Sequence, residues 1–241
     1  MSVTNRDEIK QLGTILCVFA HPDDETFTMG GIMAAAVQNG QQVICVTATR
    51  GELGVQDDKK WPLQNLADIR TSELSEALKI LGVQHHYWLD FPDGGCENVD
   101  ADQAVSRIVD LVWQYQPDSI MTFGPDGLTG HLDHQAVSAW TTRANAQANS
   151  QAQIYHALLT TKQYEESRVL DNALNFYWNT PKPPTCEEDE ADVCLHLSEN
   201  LSQIKLSALR AMPSQYQAMF EQFDESVIKQ CSKTEAFIRA I

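Results

Sequence analysis

The sequence predicts an α/β fold, a Rossmann-like, mostly parallel sheet with helices on both faces. Three observations predict it. Short apolar runs of strand length alternate with helical patterns four times between residues 14 and 147, as successive βαβ units do. Each run ends in a polar or glycine-punctuated cluster, where a chain leaves a buried strand. The 241 residues are 43% hydrophobic, enough to bury a substantial core.

The first strand is TILCVFA (14–20), a continuous apolar run that stops at HPDDE. TMGGIMAAAVQNG (28–40) follows with helical character, and Gly40 is its natural stop. QQVICVTAT (41–49) is a second buried strand, and RGELGVQDDKKWPLQ (50–64) is polar and broken by glycine and proline, hence a loop. From Asn65 to Leu81 apolar residues recur at helical spacing, and Gly82 ends them. HHYWL (85–89) is a third strand closed by DFPDGG; residues 101–116 form an amphipathic helix ended by Pro117. DSIMTFG (118–124) is a fourth strand, and a helix opens at HLDH (131–134). Beyond residue 150, strands are expected at 153–160 and 192–198, and helices at 199–212 and 214–223 split by Pro213. Residues 181–192 read as a loop rich in proline and acid.

Ligands of open α/β sheets bind at the carboxyl ends of the strands. HPDDE, RGE, DFPDGG and GHLDH each follow one of the four strands, so all four clusters are expected on the same edge. No GxGxxG follows the first strand, which disfavours a dinucleotide site.

A formal charge of −16, from 33 acids and 17 bases, argues against a phosphate-backbone binder and an anionic membrane surface as partners, while leaving room for an anionic group in a local pocket. No apolar run approaches the roughly 18 residues of a membrane span. The polar N-terminal segment lacks the apolar stretch of a secretory signal, and the six cysteines show no CxxC pair or framework spacing. A reducing, cytoplasmic setting is expected.

The chemistry-bearing residues lie in two clusters. After the first strand, a turn can aim His21 and Asp24 at one point while Asp23 faces the space beside it. His131 and His134, three apart at a helix start, share a face. Two imidazoles and a carboxylate form a typical catalytic zinc site with an open fourth position; iron(II) or cobalt suits the same donors. Asp133 could orient an imidazole through its ring N–H. Each cluster alone also has a structural reading: acids after a strand cap helices, and HxDH occurs on solvated helix faces. Their joint placement on the predicted site edge favours the metal.

AHPDDE (20–25) with GHLDH (130–134) resembles the PIG-L/LmbE-like zinc-dependent de-N-acetylases, supported by VTATRGE (46–52), RTSELSEALKILGV (70–83), FGPDG (123–127) and KLSALRAMPSQ (205–215). The resemblance implies zinc held by His21, Asp24 and His134. It implies Asp23 as general base, and His131 as oxyanion stabiliser or proton donor tuned by Asp133. It implies substrate contacts from Arg70 and Asp93. The substrate would be a small N-acetylated molecule of N-acetylglucosamine type, releasing acetate and an amine. Arg70 also has a plain reading as an ion pair with Glu73, and Glu52 reads either as a cap on the site wall or as a solvated loop acid, the second being slightly favoured. Trp61 is open to stacking on a sugar or anchoring its loop. The pattern departs from the family at Leu132, at Thr129 where one branch has tyrosine, and at Met212, where the family usually has histidine. An amidase for a non-sugar or thiol-conjugate amide, and a metal-binding protein without turnover, stand as alternatives. A single domain over residues 1–241 is expected, with a core at about 14–150 and residues 151–241 completing the pocket wall. Homo-oligomer formation is left open.

Overall fold

The computed structural model describes residues 3–54, 57–177 and 179–240. Met1 and Ser2 of the polar N-terminal segment, and Val55 and Gln56 of the predicted 50–64 loop, lie outside the described residues. Five parallel strands form the centre: β1 (Ile15–Phe19), β2 (Val43–Thr49), β3 (His85–Phe91), β4 (Ser119–Phe123) and β5 (Gln153–Thr160). They lie in the order β3-β2-β1-β4-β5. Chain order therefore reverses at β1, whose Ile15 is in register with Val43 of β2 on one side and Ser119 of β4 on the other. β1, β2 and β4 are buried along their whole length, which is why they read as unbroken apolar runs rather than alternating ones.

Three strands complete the sheet: β6 (Thr185–Cys186), parallel to β5, β7 (Val193–His196), and β8 (Thr234–Arg239), antiparallel to both β5 and β7. The helices are α1 (Asp24–Gln38), α2 (Leu63–Leu81), α3 (Ala101–Tyr115), the short α4 (Gly127–Gly130), α5 (Leu132–Gln147), α6 (Thr161–Leu174), α7 (Glu199–Arg210), α8 (Pro213–Gln222) and α9 (Glu225–Ser232). α1 packs on α2 and α7, while α3 packs on α5, giving helical layers on the two sides of the sheet. Among the described residues no helix is long and apolar enough to cross a membrane.

α1 starts at Asp24, four residues earlier than its apolar pattern suggests, and is kinked at Met29 (φ −144°, ψ 22°). The kink frees the N–H groups of Gly31 and Ile32, and the Glu235 carboxylate from β8 accepts both, at 2.8 and 2.7 Å. Lys205 on α7 closes the arrangement with its Nζ 2.7 Å from Glu235 Oε1 and 3.2 Å from Ser232 O. Both charged residues are about 1% exposed.

Candidate active site

The four loops at the carboxyl ends of β1 to β4 converge at the point where the strand order reverses, the place expected for a site in an open α/β sheet. Backbone and side chains tie them together. Asp93, after β3, accepts from Leu53 N at 2.7 Å, and Glu52 accepts from Asp93 N at 3.0 Å. Asp133, at the start of α5, accepts from Gly94 N at 2.8 Å and Cys96 N at 3.0 Å. Glu52 is therefore a brace of the site wall and not a solvated loop acid.

The structure brings His21, Asp24 and His134 together. His21 Nδ1 lies 3.2 Å from His134 Nε2 and 3.4 Å from Asp24 Oδ2, and His134 Nε2 lies 3.4 Å from Asp24 Oδ1. Ligands on a tetrahedron with bonds of about 2.0–2.1 Å stand about 3.3 Å apart, so the three donors fit one small divalent cation. Their tautomers follow from their outer partners. His134 Nδ1 donates to Gly127 O at 2.9 Å, which leaves the Nε2 lone pair inward. His21 Nε2 faces Asp133 Oδ2 at 3.2 Å and Asp93 Oδ1 at 3.1 Å, which leaves the Nδ1 lone pair inward. Two ring nitrogens and a carboxylate then meet, with the His21 backbone N–H donating to Asp24 Oδ2 at 2.7 Å, and a cation would take the place of the proton that the surrounding carboxylates favour on His21 Nδ1. Burial works against a charge on His21, but hydrogen bonds to Asp133, Asp24 and Asp93 raise its pKa well above the ordinary value. Burial, helped by the neighbouring His21 and His131 and opposed by Asp24, pushes His134 down to about 4, which favours its neutral imidazole.

The ring nitrogens of His21, His131 and His134 also lie within 4.8 Å of one another. Asp24 is the better third ligand, because His131 Nδ1 is already engaged: it caps α5 by accepting from Asp133 N at 3.1 Å. That bond places the His131 proton on Nε2. Burial and the neighbouring His21 both lower its pKa. The Asp133 carboxylate faces His21, whereas the resemblance implies that it tunes His131. Replacing Asp133 by asparagine is expected to weaken metal binding by about 10- to 100-fold, read by competition with a chelator; unchanged affinity would show that Asp133 only docks the loop after β3.

Asp23 sits in a strained turn, with φ at 116°, a region that non-glycine residues rarely adopt. Neighbours hold it there. Arg70 on α2, only 3% exposed, donates to Asp23 Oδ2 at 3.1 Å, to Gly51 O at 2.8 Å and to Pro22 O. Gly51 (φ +65°) permits this: a Cβ there would lie 2.4 Å from the guanidinium. Arg70 thus pairs with Asp23 rather than with Glu73, whose carboxylate takes the Ser214 N–H and hydroxyl. The second Asp23 oxygen accepts no hydrogen bond among the described residues. Burial pushes this carboxyl up to about 7, against the pull of Arg70.

Two cavities meet at the donors. A polar one of about 440 Å³ is lined by His21, Asp23, Arg70, Asp93 and His131, with Gln215 at its far wall. An aromatic one of about 180 Å³ is lined by Phe27, Phe123, Leu128, Phe176, Tyr177 and Tyr216. Met212 lines neither; it is 1% exposed in the core and caps α8, so the wall falls to Gln215 and Tyr216 further along that helix. Trp61 also lies outside both linings, with Lys60 over its ring. The wall residues were not singled out by sequence, although two aromatic residues, Tyr216 and Phe220, in an otherwise polar helix are a signal that could have found α8.

A doubly wound sheet with a two-histidine, one-carboxylate donor set at its switch point defines a class of metal-binding α/β proteins. Comparison with known proteins gives the family. Residues 16–145 match PIG-L, described as GlcNAc-PI de-N-acetylase; the match covers more than half of the chain, which belongs to this family. A 1D-myo-inositol 2-acetamido-2-deoxy-alpha-D-glucopyranoside deacetylase of Kineococcus radiotolerans is 32% identical over 166 residues, covering 57% of this chain and 46% of that protein. Such matches span about half the length of these curated relatives. Among solved structures, N,N'-diacetylchitobiose deacetylase from Pyrococcus horikoshii superposes with a TM-score of 0.67 at 23% identity, covering 96% of this chain and 85% of that one. The 4-carboxy-2-hydroxymuconate hydratase GalB from Pseudomonas putida KT2440 gives 0.64 at 17% identity, covering 95% and 96%. Deacetylase and hydratase share the architecture, so the fold does not choose the reaction.

Proposed function

We propose that the protein is a metal-dependent de-N-acetylase that hydrolyses the acetamide of an N-acetylglucosamine-type sugar, with zinc on His21, Asp24 and His134. The observation that carries this is the pairing of three donors spaced for one tetrahedral cation, its fourth position open, with a held carboxylate, Asp23, that lines both cavities. The names of the curated relatives support the substrate class. When bound, the cation supplies Lewis acidity to the attacking water and to the amide carbonyl.

The chain's own groups do the rest. Asp23 accepts the proton of the attacking water, and Arg70 fixes the carboxylate while it does so. His131, with its proton on Nε2, donates a hydrogen bond to the oxygen that becomes negative as the carbonyl carbon turns tetrahedral; such donors are worth about 100- to 1,000-fold. His131 cannot give that proton away while its Nδ1 caps α5, since the ring would be left an anion. Asp23, protonated in the first step, therefore returns the proton to the departing nitrogen. The C–N bond breaks, and acetate and a free amine leave. In this reading Arg70 positions the base from beside the cavity, and Asp93 divides its carboxylate between His21 and the loop at Leu53 while facing the sugar.

The whole chain is read as one domain, supported by the β5-β8-β7 continuation of the sheet and by Glu235, which ties β8 to α1 through the Gly31 and Ile32 N–H groups. The cysteines stand as free thiols, five of them buried, which supports a reducing, cytoplasmic setting. The test is metal analysis of the purified protein together with amine release from N-acetyl sugars, before and after chelation. Zinc near one per chain with chelator-sensitive release is expected. A metal-loaded protein inert toward the whole panel, or release that chelation leaves intact, would refute the proposal.

A further inference from the structure

The aromatic cavity is far larger than an acetyl group needs. A methyl group fits in a space about the size of one water molecule, about 10–15 Å³ on the measure by which the cavity beside Asp24 and His134 holds about 180 Å³. Its relation to the polar cavity fixes what it can take. Asp23, Thr129, His134, Phe176 and Gln215 line both cavities, so the donors lie at the junction. An amide whose carbonyl sits at that junction places its acyl side in one cavity and its amine side in the other. Arg70, Asp93 and His131 line the polar cavity alone, and the Asp93 carboxylate there can accept from the hydroxyls of a sugar. Sugar hydroxyls set against Phe27, Phe123, Leu128 and Phe176 would lose water without finding partners there, although Thr28, Tyr177 and Tyr216 bring hydroxyls to other parts of the same wall. An alkyl chain there loses nothing.

Resting on the deacetylase reading above, we propose that the site hydrolyses N-acyl amino sugars whose acyl chain is longer than acetyl, the chain lying in the aromatic cavity and the sugar in the polar one. The reaction is the same hydrolysis. The bond between the acyl carbon and nitrogen breaks, water supplies the new oxygen of the carboxylate, and a proton goes to the amine.

The test uses the full-length, zinc-loaded protein and glucosamine carrying acetyl, butanoyl, hexanoyl or octanoyl on nitrogen, with free amine as the readout. Burial of each methylene is worth about a three- to fourfold gain. kcat/KM is therefore expected to rise by about that factor per methylene until the cavity is full. Calorimetric titration with the product carboxylates gives a second readout, with hexanoate binding more tightly than acetate. Thr28 lies on α1 against the aromatic cavity and outside the polar one; Thr28→Trp should cut the hexanoyl-to-acetyl preference at least tenfold. Release that is fastest from acetyl and falls with each added methylene overturns the proposal while the deacetylase reading stands. So does a gain from an octyl group on the sugar's C1 oxygen in place of one from the acyl chain. No release at any chain length overturns both.

Discussion

Replacing Asp23 by asparagine is expected to leave zinc content unchanged and to lower turnover by about 100- to 10,000-fold, the usual span for loss of a general base. The expectation comes from how the side chain is held. Asp23 is not among the three mutually close donors, so the cation keeps its ligands. Asparagine keeps the shape and an oxygen for Arg70, so the strained turn at φ 116° is still tied to α2. What disappears is the acceptor of the water proton and, later, the donor to nitrogen. Metal analysis beside single-turnover amine release separates the two effects. Near-normal turnover in a zinc-loaded variant would remove Asp23 from the mechanism, and loss of zinc would make it a ligand.

Replacing Lys205 by methionine is expected to destabilise the fold by about 3–5 kcal/mol, the scale for stranding one partner of a buried ion pair. The length of methionine fits the channel, but Glu235 would keep its charge with only the Gly31 and Ile32 N–H groups to share it. Replacing both partners, Lys205→Met with Glu235→Gln, should recover much of the loss, because no unpaired charge then stays buried. Denaturant unfolding of the wild type, both single variants and the double variant forms the cycle that measures the coupling. Additive losses would mean that the two residues act separately.

Much of the central architecture was legible because its strands are buried on both faces. TILCVFA and DSIMTF could only be central strands of a covered sheet, and the polar clusters that end them had to share an edge. That placed His21, Asp24 and His134 within reach of one another before any coordinates. The partnerships among them were not legible. Asp133 lies two residues from His131 yet faces His21, and Arg70 lies three residues from Glu73 yet reaches Asp23; both choices depend on how distant loops close. The last third was harder. α6 has a polar sequence, and only the Thr160–Gln163 capping box marks its start. No element is predicted beyond residue 223, so α9 and the six-residue β8, which has no flanking turn signal, are both missed. The aromatic cavity draws its walls from α1, β4, α8 and the stretch after α6, and no sequence period links such residues.

The clasp of Glu235 on the α1 kink joins residues made early in synthesis to some of the last. The turn bearing Asp23 and Asp24 lies just ahead of that kink, and the kink is satisfied only once residue 235 has emerged from the ribosome. On the proposed function, a nascent chain would therefore carry an incomplete metal site for most of its translation and acquire the ion late. A nonsense codon a few positions before Glu235 would disable a centre whose ligands are all still encoded.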